Sequence, residues 1–152
     1  MQQWGMAAVG PLRAAGVPLD ALYLADPSNS YYLQDPSGGW GGIRHYDALV
    51  RAHAAHYDTV LMVGSSMGGT AALVHASLAT RVLSFGPKVE LVRCHGCFLP
   101  EGARAACHAA IAANATAERA CSVAIHVGSG NLEDVLQAER VGKRPSASVI
   151  VW

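Results

Sequence analysis

Tyr57-Asp58-Thr59-Val60-Leu61-Met62-Val63-Gly64-Ser65-Ser66-Met67-Gly68-Gly69-Thr70, followed by an Ala/Leu/Val run to Thr80, is the stretch whose reading decides the fold. The apolar, β-branched run Thr59–Val63 predicts a short strand that stops at Gly64, and a helix-prone segment begins three or four residues later. Between them, Gly64-Ser65-Ser66-Met67-Gly68 matches G-x-S-x-G with Ser66 at the centre. A strand that reverses into a helix within so few residues forces the middle residue into a strained, left-handed region of φ/ψ. Glycines two positions to either side then let the backbones pass without Cβ clashes. Ser66 would stand at the tip of the turn, at the C-terminal edge of a sheet. The NH of Met67, in the first helical turn, would face any oxyanion formed there, reinforced by the helix dipole. Gly69 would extend the close approach by one residue.

Two other strand-Gly-helix devices fit poorly. A phosphate-binding loop ends in Gly-Lys-Ser/Thr, and Gly68-Gly69-Thr70 has no lysine; a dinucleotide-binding turn needs G-x-G-x-x-G, which Gly64, Gly68 and Gly69 do not supply.

The 152 residues are enough for one domain with a real core. Only 14% of them are charged, against about 25% in ordinary soluble domains, which suggests either two covered sheet faces or a surface that meets something else. Net charge is zero and no basic run occurs, which removes the electrostatic footprint of a nucleic-acid binder. Neither an 18-residue apolar window nor a basic leader is present, and the expectation is a cytoplasmic chain that neither spans nor binds a membrane. No cofactor motif stands out.

Cys94-His95-Gly96-Cys97 is a C-x-x-C, with Cys107 and Cys121 further on. No second pair completes a zinc site, and Cys107 and Cys121 fall on apolar positions of a helix and a strand, so the expectation is no metal and buried thiols. His53 and His56 share a helix without an acidic third ligand.

In chain order the pattern predicts a weak helix Gln2–Ala15, a strand Leu19–Ala25, and a turn-rich loop holding two Asp-Pro-Ser tripeptides at Asp26 and Asp35, read as Asx-type turns. A helix from Ile43 to Tyr57 follows, then the strand and turn already described and an all-round apolar helix Met67–Ala79. Strand Arg81–Phe85, a helix from Glu101 to about Glu118, strand Cys121–Val127, a helix from Leu132 to about Val141 and strand Ser146–Trp152 complete the order. This alternation specifies an α/β fold: a three-layer, mostly parallel sheet of about five strands with helices on both faces and the site at the strands' C-terminal edge.

With the turn placed, the chain resembles part of an α/β-hydrolase. It is similar to a set of hydrolase-like proteins that carry Asp-Pro-x-x-x-Trp/Tyr-Tyr before Gly-x-Ser-Met-Gly-Gly, matched here by Asp26–Tyr32 and Gly64–Gly69. The resemblance implies the family's fourth strand at Leu19–Ala25, its fifth before Ser66, then the sixth to eighth. It also implies a chain order of nucleophile, acid and histidine, with the histidine after the eighth strand. That position would lie past Trp152, and the third strand would precede Met1, so the resemblance implies a chain shortened at both ends. Alternatively Leu22–Leu24 would pair directly with Val60–Met62. The family's acid position matches Asn131, which leaves Asp134, then Glu133, as the candidate carboxylate; a helix N-terminus also favours both without any catalytic role.

The function expected is acyl transfer on a small-molecule ester, thioester or amide: Ser66 as nucleophile, Met67 NH as oxyanion donor, and Asp134 orienting a histidine, with activity impaired where that histidine is missing. The alternative is a non-catalytic binding module that uses Tyr31, Tyr32 and Trp40. Nucleotide binding at the Gly64 turn stands third.

Overall fold

The structure is a computed structural model that describes residues 3–91, 98–116, 121–142 and 147–152. Among the described residues five α-helices and four strands follow one another: α1 (Gln3–Ala14), α2 (Gly42–Ala54), β1 (Leu61–Ser65), α3 (Met67–Val74), β2 (Arg81–Phe85), α4 (Glu101–Thr116), β3 (Ser122–Val127), α5 (Leu132–Gly142) and β4 (Ala147–Val151). The four strands form one parallel sheet in the order β1-β2-β3-β4. This is an α/β fold built on a parallel sheet packed with helices, as foreseen, with four strands where about five were expected. No described helix is long and apolar enough to cross a membrane.

Strand order decides where the helices go. Crossovers between parallel neighbours are right-handed, and with neighbours taken in strict sequence each crossover helix arrives on the same face. That face carries Met62 and Gly64 of β1, Val82 and Ser84 of β2, Val123, Ile125 and Val127 of β3, and Val149 of β4. Val82, Ile125 and Val127 are buried there with Leu73 and Val74 of α3, Cys107 and Ile111 of α4, and Ala138 and Val141 of α5. The alternate residues face the other way, and Leu61, Val63 and Ile150 among them are 51%, 57% and 41% exposed. A period-2 sequence pattern shows that a strand has two faces; it does not contain the strand order that says which face each helix takes.

The strand expected over Leu19–Ala25 is not formed. These residues are irregular, with Leu22 and Tyr23 exposed. Side chains occupy the backbone acceptors there: Tyr32 Oη donates to Leu24 O at 3.1 Å and Tyr46 Oη to Ala25 O at 3.1 Å. Leu22–Leu24 therefore does not pair with Val60–Met62, and β1 pairs only with β2 among the described residues. The long apolar helix expected after Ser66 is also shorter, because α3 gives way to a 3-10 turn at Ala76–Leu78.

Asp35 makes the Asx-type turn read from its tripeptide, accepting the Ser37 amide two residues on, whereas Asp26 accepts amides further along the chain. The Asp26 carboxylate accepts the amides of Ser30 and Tyr32 at 2.6 and 2.8 Å and the Ser28 hydroxyl at 2.7 Å. These contacts hold Asn29, Tyr31 and Tyr32 at φ of 56°, 62° and 62°, a region bulky residues avoid unless the surroundings enforce it. Asp35 accepts the amides of Ser37, Gly39 and Gly41 in the same manner, and these hydrogen bonds hold its carboxyl below the usual range, the Ser37 hydroxyl contributing most.

Candidate active site

Ser66 has φ 53° and ψ −117°, the strained geometry that its position between β1 and α3 demands. Such a conformation costs about 1–3 kcal/mol and persists only when neighbours over-determine it. Two hydrogen bonds do so: Ser66 N donates to Phe85 O at 2.8 Å, and Thr70 N donates to Ser66 O at 3.0 Å. The turn is thus tied to the end of β2 on one side and to the first turn of α3 on the other. Ser66 is half-buried, and no described residue hydrogen-bonds its hydroxyl. Met67 begins α3, so its NH has no partner in the helical ladder.

The three glycines of the motif have different tasks. A Cβ on Gly64 would lie 2.1 Å from Gly68 O and 2.2 Å from Gly68 C, so the strand and helix touch through backbone at this point. On Gly69 it would meet Ser84 Oγ at 2.8 Å and Phe85 O at 3.2 Å. On Gly68 it would meet nothing within 4 Å. The expectation that both flanking glycines avoid a Cβ clash is therefore corrected. Gly68 supplies the backbone that Gly64 approaches, and its own missing side chain would have pointed into open space.

From this turn a chain of contacts runs to the acidic pair. Thr70, fully buried, donates from Oγ1 to Lys88 O at 2.9 Å and accepts from Lys88 N at 3.0 Å, clipping the loop after β2 onto α3. Lys88 Nζ lies 2.7 Å from Asp134 Oδ1 and 3.2 Å from Glu133 Oε1. Burial alone would lower the Lys88 pKa, but its bonds to Asp134 and Glu133 outweigh that and raise it, so the ammonium stays charged. Asp134 Oδ2 accepts from Asn131 Nδ2 at 2.9 Å, and Asn131 Oδ1 in return accepts the Asp134 amide at 3.2 Å, capping α5. The same Oδ2 lies 3.1 Å from where a Cβ of Gly86 would be, and Gly86 has φ 52°. Asp134 thus sits against the residue that follows Phe85, whose carbonyl holds Ser66. Lys88 is the member of this cluster that sequence reasoning missed. Its only signal was its isolation, a lone cation soon after Gly86-Pro87 in a chain poor in charge.

Each histidine with a described partner is engaged with a group other than Ser66. His45 packs edge-on against Tyr46, His53 Nδ1 lies 2.8 Å from Leu49 O, and His108 Nε2 accepts from Leu91 N at 3.2 Å. His126 stacks on Phe85 at 4.8 Å, on the open face of the sheet. His75 is buried with Nδ1 3.3 Å from Asp47 Oδ1, and burial lowers its pKa against the opposing pull of Asp47. Cys107 is a buried free thiol pushed up to about 12 by desolvation, and Cys121 is also free. Cys94, His95 and Cys97 lie outside the described residues. Among the described residues no three His, Cys, Asp or Glu side chains are grouped to hold a metal ion.

No family model matches this chain, and no curated protein matches it.

Proposed function

We propose that the chain carries an acyl-transfer site of the α/β-hydrolase kind, with Ser66 as nucleophile. The observation that carries this reading is the backbone of Ser66, φ 53° and ψ −117°, held at the C-terminal end of a parallel strand by the Phe85 carbonyl. Strain at a single serine, with its hydroxyl left without a described partner, has no packing purpose; it presents the oxygen. Ser66 Oγ attacks the carbonyl carbon of an ester, thioester or amide, its proton passing to a base and on to the leaving group. The bond to the leaving group breaks and a Ser66 ester remains for water to hydrolyse. Met67 NH, at the positive end of α3, receives the oxyanion. Asp134, which bonds Lys88 Nζ and Asn131 Nδ2, is the carboxylate that orients an imidazole. That imidazole belongs to no described histidine, so turnover by these residues alone is slow.

The binding-module reading relied on Tyr31, Tyr32 and Trp40 as a display. Tyr31 is 3% exposed and part of the core, and Tyr32 is tied to Leu24; only Trp40, 46% exposed, is presented. The acyl-transfer reading therefore has the stronger support. Its test is incubation with p-nitrophenyl acetate, followed by mass spectrometry of the Ser66 peptide. A single acetyl group on Ser66, absent in Ser66→Ala, is expected; acetylation spread over surface residues with Ser66 unmodified overturns the proposal.

A further inference from the structure

A cleft of about 410 Å³ opens between the start of α2 and α4, and none of its lining residues belongs to the Ser66 turn or to the Lys88–Asp134 cluster. Its volume falls within the range of about 300–1,000 Å³ that small-molecule sites occupy. From α2 and the residue before it come Trp40, Ile43 and Arg44; from α4 come Ala103, Ala106, Ala109 and Ala110. Residues three, four and seven apart share one face of a helix, so α4 gives the cleft a wall on which nothing projects beyond Cβ. Both walls are held from behind. Gly42 N donates to Leu33 O at 2.9 Å, and a Cβ on Gly42 would lie 2.4 Å from Leu33 C, so α2 starts backbone to backbone on the preceding loop. Ala103, Cys107 and Ile111 root α4 in the core. The opening is preformed, which lowers the ordering cost of binding in it.

Among the described residues Arg44 is the one charged side chain along this apolar lining, and no described residue forms an ion pair with it. The Asp35 carboxylate is near, its Oδ2 2.9 Å from where a Cβ of Gly41 would be, against 3.8 Å for Arg44 Nη2. Asp35 is spent on its own turn, however, accepting the amides of Ser37, Gly39 and Gly41. We propose that the cleft binds a small planar aromatic carboxylate, with its ring between Trp40 and the alanine wall of α4 and its carboxylate on Arg44. Each part of that ligand answers a feature of the site. The lining is apolar, so the body of the ligand is apolar. The wall of α4 is smooth and the Trp40 indole is flat, so a planar ring lies against both, and stacked rings gain beyond the area they bury. A guanidinium meets both oxygens of a carboxylate in a fork. One arginine without a second cation matches a single negative charge rather than a phosphate dianion.

The test titrates the full chain with 2-naphthoate and follows the backbone amides and the Trp40 indole NH by NMR. Saturable shifts centred on Trp40, Arg44 and residues 103–110 are expected, with a Kd at or below about 1 mM, the affinity that roughly 13 non-hydrogen atoms give at ordinary ligand efficiency. The neutral 2-naphthamide should bind at least about tenfold more weakly, and Arg44→Met should bring naphthoate to the same level. Decahydro-2-naphthoate, with the same carbon skeleton but no flat ring, should bind at least about fivefold more weakly. Ala106 is exposed, so Ala106→Leu leaves the fold intact while filling the cleft, and should weaken naphthoate by at least about tenfold. Ala105→Leu, exposed but outside the cleft, and Ser66→Ala should bind as the parent does. No saturable binding, naphthamide or the decahydro acid as tight as naphthoate, an unaffected Ala106→Leu, or a loss in Ser66→Ala would each overturn the proposal.

Discussion

Replacing Gly64 by alanine and, separately, Gly68 by alanine should move stability in opposite directions although both glycines belong to the same five-residue motif. At position 64 the new Cβ would be 2.1 Å from Gly68 O, about 0.9 Å closer than the 3.0 Å that real Cβ contacts keep, and every neighbour it meets is backbone. Relief requires moving the N-terminus of α3 away from β1. That loosens the Ser66 N to Phe85 O bond of 2.8 Å and the Ser84 Oγ to Gly69 O bond of 3.0 Å. Two weakened hydrogen bonds at about 1 kcal/mol each and an overpacking term of about 1–3 kcal/mol give a loss of about 3–5 kcal/mol. At position 68 the Cβ meets nothing, and alanine in a helix is favoured over glycine by about 0.5–1 kcal/mol. Urea denaturation reads both: with a slope of about 2 kcal/mol per molar, the midpoint should fall by about 1.5–2.5 M for Gly64→Ala and rise slightly for Gly68→Ala. Gly64→Ala within about 0.5 kcal/mol of the parent, or Gly68→Ala destabilised by more than about 1 kcal/mol, would refute the geometry of the turn.

Other outcomes follow from the contacts around it. Asn114 Nδ2 donates to Leu73 O at 3.2 Å and Val74 O at 2.5 Å, satisfying carbonyls at the C-terminus of α3, so Asn114→Ala should lower stability by about 1–3 kcal/mol in the same urea assay. His75 is buried and its folded pKa lies below its unfolded value, so the unfolded chain binds the extra proton. Stability is therefore full above about pH 6.5 and declines as pH falls below it, by at most about 1.4 kcal/mol per pH unit for one group. Melts of the parent and of His75→Gln between neutral and mildly acid pH should diverge in that direction. Lys88→Met keeps the stem but leaves Asp134 and Glu133 facing each other without a cation, and should cost about 1–2 kcal/mol, less at high salt, by urea melts at two ionic strengths.

Much of this arrangement was legible because it is local. Cys121–Val127 reads as a strand by its own alternation, Gly64 and Ser66 announce the turn between strand and helix, and the two Asp-Pro-Ser tripeptides make their hydrogen bonds within six residues. What the sequence withheld depends on distant partners. Leu19–Ala25 has the composition of a strand, but Tyr32 and Tyr46 claim its carbonyls, and no local pattern shows that competition. Lys88 meets Asp134 across 46 positions of the chain, a pairing that only the parallel topology creates. Gly68 looked sterically necessary because the motif is symmetric about Ser66, whereas the contact it makes is one-sided. Asn114 begins a sequence that reads on paper as a glycosylation signal, and its side chain instead closes the end of α3.

Labelling with a fluorophosphonate probe, located by mass spectrometry, tests the central claim with Ser65 as an internal control. Ser65 ends β1 in ordinary strand geometry and Ser66 alone is strained. The account predicts that Ser66 is modified in preference to Ser65 and every other serine, slowly in buffer and faster with added imidazole, and that Ser66→Ala abolishes the reaction. Equal labelling of Ser65 and Ser66, or an unreactive Ser66 in the presence of imidazole, would contradict it.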